Sequence, residues 1–160
     1  MSADLDLSAP RRVHIVGIGG AGMSAIAIVL ARMGHTVSGS DLKDSRPLAR
    51  LRAAGVDARV GHAAEHVTAD LDAVVVSTAI PPTNPEVVEA QRLGVPVLRR
   101  AEALRALVAT KRGIAVAGSH GKTTTSSMLA LVLRGAGPGR AGDDGQAGHR
   151  RRRGLCARRL

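Results

Sequence analysis

The sequence predicts an α/β fold: a parallel sheet built from strand–helix repeats, followed by a separate strand–loop–helix unit. Three observations carry this. Short apolar runs alternate with helix-length segments between Arg12 and Thr110. The first run empties into Gly17-Ile18-Gly19-Gly20-Ala21-Gly22. A second run, Ile114 to Ala117, empties into Gly118-Ser119-His120-Gly121-Lys122-Thr123. Continuous apolar runs bounded by turn residues read as buried parallel strands, and alternation with helices reads as repeated βαβ units.

Arg12 to Ile18 is the first strand, and its glycines form a G-x-G-x-x-G that opens a helix from Met23 to Met33. Gly34 stops the helix, and Thr36 to Ser40 is a second strand ending at Asp41, 19 residues beyond Gly22. Strand before, helix after and an acid about 20 residues on are the conditions for a Rossmann-like βαβ unit that seats a diphosphate on a helix N-terminus. NAD, FAD and UDP-sugars all satisfy that description. Pro47 to Ala54 is a short helix closed by Gly55, and Val56 to Val60 a third strand. His62 and His66 stand four apart, and without a third ligand nearby they read as solvated surface histidines rather than a metal pair. Leu71 to Ser77 is the most apolar stretch and is predicted to be a central strand. Its end, Ser77-Thr78-Ala79-Ile80, falls where open α/β sheets bind ligands. Asn84 is a candidate N-cap with Pro85 at the first helical position, starting a helix Glu86 to Arg92. Val95 to Leu98 and Arg100 to about Thr110 complete a fifth βα repeat.

The second motif has the layout of a phosphate-binding loop. The strict G-x-x-x-x-G-K-[ST] pattern asks for glycine where Val116 stands, so only G-x-x-G-K-T survives. Lys122 is placed to reach the terminal phosphates of a nucleotide, and the Thr123 hydroxyl to hold Mg²⁺. A helix Thr123 to Leu133 follows.

Composition narrows the function classes. The 160 residues include no Phe, Tyr or Trp, so the core is built from aliphatic side chains. One cysteine, Cys156, excludes an internal disulfide and a cysteine-based zinc cluster. No run of about 18 apolar residues suggests a membrane span, and the acidic N-terminus MSADLDLSAP is unlike a signal peptide, so a cytoplasmic location is expected. The net charge of +10 resembles a nucleic-acid signal, but half of it lies in residues 135–160, with seven arginines against two aspartates. Without aromatics to stack on bases, nucleic acid is an unfavoured partner.

Four motifs, VHIVGIGGAGMSAIA, VSGSD, VVVSTAIPPTNPEV and AVAGSHGKTTTSSML, resemble in order and spacing the amino-terminal part of the UDP-N-acetylmuramate–L-alanine ligases of the Mur ligase family. The likeness runs from about Arg12 to Arg134. The histidine in GSHGKTTT points to these ligases or to the ligases that recycle murein peptides, and GIGGAGMS favours the former. The resemblance implies a first domain, 12–110, that holds the UDP part of UDP-N-acetylmuramate. Ile18, Gly19, Gly20, Ala21, Gly22, Met23 and Ser24 would cradle the diphosphate, with Asp41, Ser77, Thr78, Ala79 and Ile80 lining the same crevice. It also implies that residues 111–134 begin a P-loop ATP-binding domain. There Gly118, Ser119, His120, Gly121, Lys122, Thr123 and Thr124 would bind ATP, Lys122 would act as the catalytic cation and Thr123 would hold Mg²⁺. The implied activity is ATP-dependent joining of L-alanine to UDP-N-acetylmuramate through an acyl phosphate. That reaction serves peptidoglycan precursor synthesis, and through it cell shape and division.

The sequence departs from that family in length and in its end. The family's chains run much longer, so this chain is expected to be an incomplete, inactive fragment. After Gly135 a Gly/Arg-rich tail without periodicity reads as disordered or as the product of a shifted frame. A lone strand and helix cannot bury their apolar faces, so the segment after about Thr110 is expected to pack poorly. The competing readings are a stand-alone UDP-sugar- or nucleotide-binding module and a nucleic-acid-binding arginine arm. A dehydrogenase is the weakest, since nothing after Asp41 suggests a hydride-transfer site.

Overall fold

A computed structural model describes residues 5–111 and 114–135, which fall into two units divided between Gly113 and Ile114. The arginine-rich tail lies outside the described residues.

The first unit is a five-stranded, wholly parallel sheet. Its strands are β1 (Arg12–Val16), β2 (Thr36–Asp41), β3 (Asp57–Val60), β4 (Ala73–Val76) and β5 (Val97–Arg99), in the spatial order β3-β2-β1-β4-β5. The helices are α1 (Ala21–Arg32), α2 (Arg46–Ala53), α3 (Pro85–Arg92) and α4 (Arg100–Ala109). The chain builds outward from β1 through β2 to β3, then returns to the other side of β1 with β4. The strand order therefore reverses between β1 and β4, whose registers pair Val13 with Ala73 and Val16 with Val76. Open α/β sheets bind ligands at such a point.

Alternation along β1 divides the core. Val13 and Ile15 face α1, where they pack with Met23, Ile26, Leu30, Leu48 and Leu51 in the main apolar cluster. On the opposite face Val16 and Val74 pack with Val67, Ala90 and Val95 in a smaller cluster. His14 shares that second face with Ser38 and Ser40 of β2, so the half of the face under β1 and β2 is polar.

Two expectations are corrected. The first strand stops at Val16, because Gly17 turns the chain with φ 77°. The third repeat holds only a 3₁₀ turn, Ala64–His66, where a helix would complete the unit. The predicted central strand is found at β4, which pairs with β1 on one side and β5 on the other. Elsewhere the sequence-predicted start of α3 is found: the Asn84 side chain accepts the Glu86 N–H (2.9 Å), with Pro85 in the first turn.

The second unit consists of an irregular segment, residues 114–121, and α5 (Lys122–Gly135). The predicted strand at Ile114–Ala117 does not form, since among the described residues no neighbouring strand offers it a hydrogen-bonding ladder. None of the described residues 114–135 is buried, and Ile114, Met128, Leu131, Val132 and Leu133 are exposed. The expected poor packing is thus observed there.

Candidate functional site

The turn from β1 into α1 is held by the end of β2. The Ser40 carbonyl accepts the N–H groups of Gly17 (2.8 Å) and Ile18 (3.0 Å), and Asp41 Oδ2 accepts the N–H of Gly19 (2.9 Å). Gly20 is the N-cap of α1 and supplies no side-chain cap, and the first turn contains no acid. The N–H groups of Ala21, Gly22 and Met23 thus open α1 without intrahelical partners, an arrangement that attracts an anion.

Of the predicted residues, Ile18 and Met23 point into the core and offer only backbone to a ligand. The Ser24 hydroxyl is exposed and bonded to the Ala21 carbonyl (3.2 Å). Asp41 spends one carboxylate oxygen on Gly19. Across the strand-order reversal, Ser77–Ile80 forms a turn, with the Ala79 N–H on Ser77 Oγ (3.1 Å) and the Ile80 N–H on the Ser77 carbonyl (3.1 Å). The Ile80 side chain reaches Gly17, 3.4 Å from where a Cβ would stand there. The fold thus gathers three motifs, the glycine loop, Asp41 and Ser77–Ile80, at one edge of the sheet. A cavity of about 440 Å³ adjoins that edge, lined by Ser77, Thr78, Ile80, Pro82, Gln91 and Arg99.

Two features escape sequence reasoning. The first is Arg100, at the start of α4. Its Nη1 lies 3.0 Å from where a Cβ on Gly22 would stand, so the bare backbone of Gly22 makes room for a guanidinium beside the start of α1. Arg100 is exposed and has no ion pair among the described residues. Its position just after the fifth strand, at the ligand-binding edge, is the only sequence signal that could have singled it out.

The second is a buried carboxylate. Glu86, in the first turn of α3, is fully inaccessible to solvent. Its Oε2 accepts the Ser40 hydroxyl (2.5 Å) and contacts His62 Nδ1 (3.1 Å), while Oε1 contacts His66 Nδ1 (2.7 Å) and stands 3.5 Å from His14 Nε2. Because the hydroxyl proton goes to the carboxylate, His62 donates from Nδ1 to Ser40 Oγ (2.8 Å). Burial alone would push this carboxyl up, but the His14, Ser40 and His66 interactions outweigh it and hold Glu86 down at about 2. His62 and His66 are consequently no surface histidines: their side chains are 9% and 10% exposed, and both face Glu86. Sequence spacing cannot disclose a partner that sits 20 and more residues away on another helix. Among the described residues no group of His, Cys, Asp and Glu is arranged to hold a metal ion.

In the second unit, Gly118 (φ 149°) and Gly121 (φ 76°) bend the segment before α5. Lys122 folds its amine onto the loop, donating to the carbonyls of Gly118 (2.6 Å) and Ser119 (3.2 Å). His120 Nδ1 pairs with the Ser119 hydroxyl (3.2 Å). Thr123 and Thr124 stand exposed in the first helical turn. A lysine centred over a glycine-turned loop, with a hydroxyl in the first turn of the following helix, is a donor set that fits a nucleotide phosphate and its magnesium.

Residues 12–112 match the Mur ligase family, catalytic domain. The chain belongs to the Mur ligase family. It is 60% identical over 126 residues to a UDP-N-acetylmuramate–L-alanine ligase of Rubrobacter xylanophilus, covering 79% of this chain and 28% of the relative. A ligase of the same name from Streptomyces coelicolor is 57% identical over 122 residues, at 76% and 26% coverage. Among solved structures, the UDP-N-acetylmuramate–alanine ligase of Thermotoga maritima superposes with a TM-score of 0.70 at 37% identity, covering 78% of this chain and 29% of that one. A murein peptide ligase from Psychrobacter arcticus gives the same score at 36% identity, with 79% and 27% coverage. The chain therefore spans about a quarter of the length of these Mur ligases. Among the described residues no helix is long and apolar enough to cross a membrane.

Proposed function

We propose that the first unit binds the UDP moiety of UDP-N-acetylmuramate, and that the chain carries the amino-terminal portion of an ATP-dependent ligase joining L-alanine to that substrate. The observation that carries this reading is the α1 N-terminus, where uncommitted N–H groups lie beside the Arg100 guanidinium, at the end of a loop whose Gly17 is reached by the Ile80 side chain. Two phosphates carry the charge such a site favours. Ala21 and Gly22 would donate backbone hydrogen bonds to the diphosphate, and Arg100 would add a positive charge that binds in a forked geometry. The exposed Thr78 and Ala79 would meet the rest of the nucleotide. In the Mur ligase setting the glycine fingerprint is a substrate site, not a nicotinamide site.

The second unit, on this reading, supplies the phosphate loop for ATP. In the reaction a substrate carboxylate oxygen takes the terminal phosphoryl group and ADP departs. The alanine amine then attacks the acyl carbon and phosphate leaves. Lys122 would move its amine from the Gly118 and Ser119 carbonyls onto the nucleotide phosphates, neutralising charge as it builds. Magnesium, when bound, would supply further charge neutralisation, held by the Thr123 hydroxyl. Whatever recognises alanine would lie, in the longer relatives, outside the quarter of their length that this chain matches. It would work in the cytoplasm, where nucleotide precursors of peptidoglycan are made.

Calorimetric titration tests the reading. UDP-N-acetylmuramate should bind and NAD should not. Binding of NAD in preference to the UDP-sugar would overturn it. A murein-peptide recycling ligase is the second reading, favoured by the likeness to the Psychrobacter enzyme.

A further inference from the structure

We infer that Glu86 is a positioning residue for the substrate loop: through Ser40 it fixes the backbone acceptor that shapes the glycine turn, and through its own helix it ties together the two walls of the crevice. The inference rests on the reading of that loop as the UDP site. It adds a role for a carboxylate that is closed off from solvent.

The connections run through named atoms. Glu86 Oε2 holds the Ser40 hydroxyl, and the carbonyl of the same Ser40 accepts both Gly17 N–H and Ile18 N–H. The next residue, Asp41, accepts Gly19 N–H on its side chain and Gly61 N–H on its carbonyl (2.8 Å). Gly61 leads directly into His62, whose Nδ1 returns to Ser40 Oγ and Glu86. The ring Glu86–Ser40–Asp41–Gly61–His62 is thus closed, and three consecutive loop amides hang from two of its members. On the other side, Glu86 opens α3 with its N–H on the Asn84 side chain, and Asn84 ends the short link that begins at Ser77. One carboxylate therefore joins the β2 wall of the crevice to the β4 wall, crossing beneath β1 at His14.

An apolar residue would cover the second face of this sheet at lower desolvation cost. A buried carboxylate with every oxygen engaged instead fixes one arrangement of the groups around it, because a shift of Ser40 or His62 would strand a charge away from water. The consequence is a glycine loop held ready before ligand arrives, so that little ordering remains to be done on binding.

The test compares Glu86→Ala, Glu86→Gln and Ser40→Ala with the wild-type chain in two readouts. One is the affinity for UDP-N-acetylmuramate by calorimetry; the other is amide hydrogen exchange at Gly17, Ile18 and Gly19 against the amides of β4. Ser40→Ala removes one hydroxyl and keeps the carboxylate's other partners, so it decides the matter where Glu86→Ala does not fold. Glu86→Ala and Ser40→Ala should weaken binding about tenfold, the equivalent of roughly 1.4 kcal/mol, and should speed exchange in the loop while β4 stays protected. Glu86→Gln keeps an acceptor for Ser40 and should recover most of the affinity. A folded Ser40→Ala chain with wild-type affinity and wild-type loop exchange would overturn the inference. If the wild-type chain fails to bind the UDP-sugar, the substrate reading falls, and the exchange comparison alone decides whether Glu86 positions the loop.

Discussion

Replacing Gly39 by alanine should damage both stability and the substrate loop, for a reason legible in distances. Gly39 lies in β2, opposite Ile15. A Cβ placed on it would stand 2.5 Å from the Ile15 carbonyl oxygen and 2.6 Å from Ile18 Cδ1. The carbonyl is backbone of the central strand, and Ile18 is fully buried, so neither can withdraw into space. Overpacking a core ordinarily costs about 1–3 kcal/mol, and a clash with backbone belongs at the top of that range. For a unit of this size about 3 kcal/mol corresponds to a fall in Tm of roughly 12 °C or more. Gly34→Ala provides the contrast. That residue has φ 90° with nothing within 4 Å, so the change should cost only backbone strain, about 1–2 kcal/mol. Thermal melts followed by circular dichroism measure both. Calorimetry on Gly39→Ala should also find weakened UDP-N-acetylmuramate binding, since displacing Ile18 displaces the adjoining loop amides. Equal Tm values for the two variants, or a Gly39→Ala chain within about 2 °C of wild type, would refute the close approach of β2 to the loop.

Other predictions concern charge and order. Glu86 is held below its ordinary 4.5, at about 2, so its contribution is complete above pH 4.5 and is lost as pH falls from there toward 2. The shift corresponds to roughly 3 kcal/mol. Acid titration should show the wild-type chain losing stability across that window, with a flatter curve for Glu86→Gln; parallel curves would contradict the assignment. His14, His62 and His66 face the same carboxylate, with Arg59 acting on it from β3 and Asp57 acting on His14 and His66. Arg100→Ala should weaken UDP-N-acetylmuramate about tenfold with little change in Tm, and Arg100→Lys should recover part of the loss; unchanged affinity would remove Arg100 from the site. Limited proteolysis should cut after about residue 110 and leave the first unit intact, because none of the described residues 114–135 is buried; equal resistance along the chain would contradict this.

The sheet and its first turn were legible because they rest on local patterns. Apolar runs, glycine stops and the Asn84-Pro85 start each declare themselves within a few residues, and the Gly22-to-Asp41 spacing already ties the glycine loop to the end of the second strand. What stayed hidden depends on contacts between distant segments. His62 and His66 look like solvated residues until Glu86, from α3, is seen beneath them. Ser38 and Ser40 look like ordinary strand polars until the pleat sets Ser38 against His14 and Ser40 against Glu86. Arg100 gains meaning only when α4 is laid against α1. The Ile114–Ala117 run erred in the opposite direction: its apolar pattern is strand-like, but a strand needs a neighbour to accept its hydrogen bonds. The membership of the Mur ligase family stands on a match across residues 12–112, the part of the chain whose physics is also most complete.

Backbone amide shifts measured during titration with UDP-N-acetylmuramate report most directly where the UDP-sugar sits. The amides of Ala21, Gly22 and Met23, at the start of α1, should move first and furthest, with those of Thr78 and Ala79 following. Changes confined to Gly118–Thr124, or scattered without a centre at the glycine loop, would contradict that placement.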